Sequence, residues 1–251
     1  MASSAIEIIR LAKAAAPSLA QASTIQKNAA LSKIADLLPA NADAIVAANQ
    51  KDIERGIADG LAQGLQDRLR LDAKRIQALA DALRLVVSLP DPVGEMLRGF
   101  TLPNGLKVTQ ARVPLGVIGA IYEARPNVTI DIASLAIKSG NAIVLRGGTA
   151  AENTNRVLVK LLQQGLAEAG LNADAVQTVD DFGREGANQM MQATGLIDVL
   201  IPRGGAGLIQ SVVTNSQVPV IQTGDGVVHL FIDETARVDW AVEIALNSKT
   251  Q

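Results

Sequence analysis

No cysteine occurs among the 251 residues. That excludes a disulfide framework and any metal site built on thiolates, and it fits a cytoplasmic protein. There is one histidine, His229; it stands in no Ser-His-Asp order to argue for, no His or Cys cluster can hold a metal, and no metal site is expected. Aromatic residues make up only 2 %, against 48 % apolar residues overall. The core must therefore be aliphatic, which suits layered α/β packing better than an all-β sandwich. No apolar run approaches the ~18 residues of a membrane span. Charge is nearly balanced, at a formal −2, and no basic stripe with interleaved aromatics is present. A membrane is thus excluded as an expectation, and so is nucleic acid as the main partner.

What is present is an order of elements. The first ninety residues read as helices over Ser3–Ala16, Thr24–Leu38, Asn41–Ala58 and Asp72–Leu89, with Asn41 and Asp72 as N-caps and Pro17 and Pro39 as punctuation. The first of these, amphipathic and containing Glu7, reads as a surface helix rather than a targeting peptide. Leu89-Pro90-Asp91-Pro92 breaks the pattern. Two short runs then flank Asn104-Gly105, a strong hairpin-turn signal, and Pro103 beside it makes the hairpin an edge or projecting one. From Leu115 the chain alternates. Strands are expected at Leu115–Tyr122, Ala142–Leu145, Val176–Val179, Ile197–Ile201, Val218–Ile221 and Val227–Ile232. Helices are expected at Val128–Lys138, Ala150–Ala169, Glu185–Ala193, Gly205–Asn215 and Val238–Lys249. Short aliphatic strands separated by helices predict a Rossmann-type, mostly parallel α/β sheet covered on both faces. Ligands in such sheets collect at the carboxyl ends of the strands.

Two Arg-Gly-Gly turns fall at such ends: Arg146-Gly147-Gly148 and Arg203-Gly204-Gly205. A strand, a cationic glycine turn and a helix together can hold a phosphorylated ligand, because the helix start offers N–H groups and glycine admits close approach. Arg146 stands where NAD-binding units carry an acid for the ribose; a guanidinium favours a 2′-phosphate instead. A solvated strand-end arginine is the alternative. Asn127, in Glu123-Ala124-Arg125-Pro126-Asn127, either offers its amide to a developing oxyanion or caps the following helix. Arg125 either binds an anion or pairs with a surface carboxylate. Gln222-Thr223-Gly224-Asp225-Gly226 is a third glycine-rich turn. His229, at an alternating strand position, reads as structural, and Asp180, Asp181 and Glu234 as solvent-facing carboxylates.

Several segments taken together carry a resemblance. Val113-Pro114-Leu115-Gly116-Val117-Ile118-Gly119 runs into Tyr122-Glu123-Ala124-Arg125-Pro126-Asn127-Val128-Thr129. Lys138-Ser139-Gly140-Asn141 leads to the first Arg-Gly-Gly, and Ile201-Pro202 to the second. His229 to Asp233 and Asn247-Ser248-Lys249-Thr250-Gln251 follow. In this order they closely resemble the gamma-glutamyl phosphate reductase (glutamate-5-semialdehyde dehydrogenase) family of the aldehyde dehydrogenase superfamily.

The resemblance implies NADPH-dependent reduction of L-glutamyl 5-phosphate to the semialdehyde with release of phosphate, the second step of proline biosynthesis. It implies attack by a cysteine thiolate on the acyl phosphate, with Asn127 as the catalytic oxyanion stabiliser. The cofactor (NADPH/NADP) would meet Glu123, Ala124, Arg125, Pro126, Arg146, Gly147, Gly148, Arg203, Gly204, Gly205, Thr223 and Gly224. It further implies a homo-oligomer contacted through the hairpin arm, with glutamate 5-kinase as a candidate partner. Gln222 agrees with a phosphate-releasing reaction, since a glutamine cannot activate water as the glutamate of hydrolytic relatives does.

The family's nucleophile lies shortly beyond the Lys-Thr-Gln segment, and the helix running into Gln251 carries no stop signal. The expectation is therefore one NADPH-binding domain over residues 1–251, inactive alone: helices to 95, a hairpin over 99–113 and the sheet over 114–251. Another superfamily member, such as a CoA-acylating aldehyde dehydrogenase, and a non-catalytic nucleotide-binding module are the alternative readings.

Overall fold

The computed structural model describes residues 4–123, 125–222 and 228–250. Five helices come first: α1 (Ala5–Ala20), α2 (Thr24–Ala40), α3 (Ala42–Ala58), α4 (Gln63–Leu69) and α5 (Ala73–Ser88). A hairpin of β1 (Met96–Thr101) and β2 (Lys107–Ala111) follows. The alternating part is β3 (Val117–Tyr122), α6 (Pro126–Lys138), β4 (Ala142–Arg146), α7 (Glu152–Glu168), β5 (Val176–Thr178), α8 (Gly183–Gln192), β6 (Val199–Arg203), α9 (Ala206–Asn215) and α10 (Val238–Thr250). The sheet is parallel with order β5-β4-β3-β6. Its strands are aliphatic and buried because helices cover both faces.

The chain builds outward from β3 to β4 and β5, then returns to place β6 on the other side of β3. The crevice between β3 and β6 is thus the topological switch point. Helices α6 and α7 cover one face. α1 reaches β3, β4 and β5 beside α8, and α2, α3 and α5 form an outer layer on α6 and α7.

Local chemistry explains several boundaries. Ser23 and Gln26 form a reciprocal capping box at the start of α2. The Asp72 side chain accepts from Arg75 N at 2.7 Å, as an N-cap should. Asn41 does not act this way. It is the one residue between α2 and α3, and its amide turns back to donate to Leu37 O at 2.8 Å. Pro17 and Pro39 do not end their helices either. Each sits in the last turn, where its fixed φ is helical and only one hydrogen bond is lost. α4 is too short, at seven residues, to show a periodicity in the sequence.

Two expected strands are absent. Residues 218–221 make only a bridge from Val220 to Leu200, because Pro219 has no N–H to donate along a ladder. Residues 228–232 are exposed and pair with no strand among the described residues, so His229 is an exposed loop residue rather than a strand residue.

Buried polar groups of α3 fasten the layers. Asp52, with no exposed surface, accepts from Thr154 N (2.8 Å), Thr154 Oγ1 (2.7 Å), Asn153 N (3.2 Å) and Asn153 Nδ2 (2.8 Å). Asn49 donates to Leu69 O (2.8 Å) and Thr154 Oγ1 (3.2 Å) and accepts from Leu71 N (2.7 Å). Asn49→Ala strands a buried N–H and a buried carbonyl, so a loss of about 1–3 kcal/mol is expected. Urea unfolding measures it: the midpoint falls with an unchanged slope, and an unshifted midpoint would contradict the assignment.

Candidate functional site

The carboxyl ends of β3, β4 and β6 lie level. Ile121 pairs with Arg146, and Tyr122 with Arg203. Both Arg-Gly-Gly turns therefore emerge at one edge, together with Glu123, Arg125, Pro126 and Asn127. Ala124, Thr223 and Gly224 lie outside the described residues.

The turn after β4 is closed by carboxylates. Gly147 N donates to Asp180 Oδ1 at 2.7 Å. Asp180 is not solvent-facing. Its other oxygen accepts from Asn155 Nδ2 at 3.1 Å, the Asn155 carbonyl accepts from the Thr129 hydroxyl at 2.9 Å, and Thr129 lies 2.7 Å from the Tyr122 hydroxyl. Burial pushes the Asp180 carboxyl up to about 6, against the opposing pull of Gly147 N–H, Asn155 and Arg146. Burial and the nearby Asp180 raise the Tyr122 phenol, which stays protonated. A Cβ at Gly147 would fall 2.1 Å from Asn155 Nδ2, so only glycine lets the turn lie on this network. Asp181 and Glu234 are exposed; Asp181 pairs with Arg156 at 2.7 Å.

The first amides of the α-helix after this turn are already engaged. Gly148 precedes a single 3-10 turn, and α7 then begins with Asn153 and Thr154 amides already bound to buried Asp52. Arg146 remains half-buried at the strand end. Its Nε donates to Gly183 O at 3.3 Å, and among the described residues it forms no ion pair.

The turn after β6 is exposed. Gly205 caps α9, and its N–H donates to Glu123 Oε1 at 2.8 Å. A Cβ at Gly204 would fall 2.7 Å from the Glu123 carboxyl carbon. An exposed carboxylate thus occupies the helix start, where the dipole favours an anion. A cavity of about 310 Å³ lies here, at the switch point, lined by Arg68, Tyr122, Glu123, Arg125, Val128, Arg203, Gly204 and Gly205.

Asn127 is not the N-cap of α6. Arg125 holds that position in extended conformation, Pro126 is the first helical residue, and no side chain caps the helix. The Asn127 amide instead donates to Asp131 Oδ2, one turn on, at 3.1 Å. An amide has two N–H donors, so one stays available. Burial raises the Asp131 carboxyl, while Asn127 and Arg203 pull the other way. Asp131, Asn155 and Arg68 are not singled out by the sequence, and Asp180 is read there as solvent-facing; an acidic residue just past a short strand is the available signal for it.

The aldehyde dehydrogenase family model matches residues 1–251. Over 240 residues the chain is 64 % identical to a gamma-glutamyl phosphate reductase of Leifsonia xyli, covering 96 % of this chain and 57 % of that protein. A Kineococcus radiotolerans protein of the same name is 54 % identical, with 98 % and 57 % covered. The crystal structure of gamma-glutamyl phosphate reductase from Thermotoga maritima superposes with a TM-score of 0.90 at 39 % identity, covering 98 % of this chain and 60 % of that one. An acetylating aldehyde dehydrogenase from Geobacillus thermoglucosidasius shares the fold, with a TM-score of 0.72 at 19 % identity. The chain belongs to the aldehyde dehydrogenase family, and within it resembles gamma-glutamyl phosphate reductases over about 57 % of their length.

Proposed function

We propose that this chain forms the NADPH-binding part of an enzyme that reduces L-glutamyl 5-phosphate to L-glutamate 5-semialdehyde and releases phosphate, in proline biosynthesis. The observation that carries the reading is the cavity at the β3–β6 switch point, lined by Arg68, Arg125 and Arg203, with the α9 start at Gly205 whose N–H is held by the exposed, displaceable Glu123 carboxylate. The 64 % identical relative and the Thermotoga maritima structure support the reaction.

The residues present fit a nicotinamide dinucleotide carrying an extra phosphate. The α9 start and Arg203 suit its pyrophosphate, with Glu123 as the anion to be displaced from Gly205 N–H. Arg146, with donors to spare and no acid in the ribose-reading position, suits the 2′-phosphate. When bound, NADPH supplies the reducing equivalent. Asn127, held by Asp131, donates its free N–H to the oxygen on which charge develops. The hairpin exposes Leu97, Phe100, Leu102 and Leu106, a surface suited to contact between subunits.

Arg146→Ala should weaken NADPH by roughly 1.5–3 kcal/mol, the range for hydrogen bonds to a charged group, and leave NADH little changed. Titration of each cofactor into the 251-residue chain reads this directly. Equal losses for both would show that Arg146 does not meet the 2′-phosphate.

A further inference from the structure

The segment joining α4 to α5 is built to present two arginines. Leu69 and Leu71 are 0 % and 5 % exposed, while Arg68 and Arg70, which alternate with them, face outward. The backbone here is held from two directions. Asn49 binds Leu69 O and Leu71 N, either side of Arg70. Arg75 donates to the carbonyls of Asp67 and Arg70 and to the Asp67 carboxylate at 3.0 Å. The charge of Arg75 is thereby matched.

Arg68 and Arg70 form no ion pair among the described residues, and neither does Arg125, in contrast to Arg55, Arg84, Arg112 and Arg156. All three line one cavity of about 410 Å³, which Asn127 also lines. Arg68 and Arg125 line the switch-point cavity as well, so the two spaces adjoin. The one acid lining this cavity, Asp67, is paired with Arg75, and Glu123 lines only the adjoining space. The guanidinium groups of Arg68, Arg70 and Arg125 around this concave site raise the local potential, and their forked donors match phosphate and carboxylate oxygens.

We propose that Arg68, Arg70 and Arg125 form an oxyanion subsite that holds an anionic group of the substrate, its phosphoryl group or its carboxylate, beside Asn127. This rests on the acyl-phosphate reading above. Immobilising Leu69 O and Leu71 N makes Asn49 a positioning residue for it, since the arginines arrive already aimed.

The test uses the 251-residue chain titrated separately with inorganic phosphate, L-glutamate and NADPH, followed by calorimetry. Arg68 and Arg70 are exposed and bond to nothing that folding needs, so the double variant Arg68→Gln/Arg70→Gln should match wild type in circular dichroism and melting. Arg98→Gln, on the hairpin, is the control. Saturable binding of phosphate or of L-glutamate is expected, weakened at least about tenfold in the double variant, unchanged in the control and partly restored by lysine at both positions. Saturation by phosphate identifies the phosphoryl group as the occupant, and saturation by L-glutamate the carboxylate. Absence of saturable binding for both probes, or equal binding by the double variant, overturns the subsite. If wild type binds phosphate through these arginines but not NADPH, the subsite stands and the cofactor reading falls.

Discussion

The purified 251-residue chain, given L-glutamate 5-semialdehyde, phosphate and NADP⁺, forms NADPH no faster than a protein-free blank. The reaction proposed for the family proceeds through a thiol, and this chain has none. Serine, threonine and lysine are poor replacements: at neutral pH a cysteine is a few per cent thiolate and intrinsically very nucleophilic, whereas hydroxyls and ammonium groups need an activating base. The buried candidates are engaged elsewhere. Asp180 is bound to Gly147 and Asn155, and the Tyr122 phenol is held protonated by burial. Binding of NADP⁺ measured on the same sample shows whether the chain is folded and loaded. Turnover by a loaded, pure sample would overturn the thiol mechanism.

A second large effect concerns Asn127. In a chimera that continues this chain with the remainder of the Leifsonia xyli protein, Asn127→Ala should lower the single-turnover rate by about 10²–10³, the cost of one lost oxyanion donor. The Kd for NADPH should stay the same. Stability should hardly change, because the cap position belongs to Arg125, and the Asn127–Asp131 pair is an i,i+4 contact of the kind worth about 0.2–0.5 kcal/mol. Melting temperature and rate on one preparation separate the roles. A destabilised but fully active variant would assign Asn127 a structural role only.

The parallel sheet was legible because its strands are short aliphatic runs, and the hairpin because Asn104-Gly105 specifies a turn. The helices were legible from their apolar spacing, with ends displaced by a few residues where Pro17 and Pro39 were tolerated. The strand expected at 227–232 was not, since a run of alternating apolar residues says nothing about whether a partner edge is in reach. The candidate site divides similarly. Turns with unusual composition, around Arg125, Arg146 and Arg203, advertise themselves. Asp52 and Asp180 do not, because their importance comes from a helix start 101 positions away and a turn 33 positions away. The same holds for Arg68 and Arg70. Nothing in Asp-Arg-Leu-Arg-Leu-Asp distinguishes an aimed pair from a solvated one until Asn49 and Arg75 are seen gripping the backbone.

The placement of α1 has a consequence for synthesis on the ribosome. Its apolar face rests against strands made much later, and its fixed contacts run from Ile6 to Gln189 and from Lys13 to Asp198. At about 5–20 residues per second, the first helix waits roughly 10–40 s for these partners to be translated. Throughout that interval a greasy amphipathic segment protrudes from the nascent chain with nothing of its own to cover it. α1 is translated before every element it packs on, yet it is among the last parts of the described structure to be locked in place.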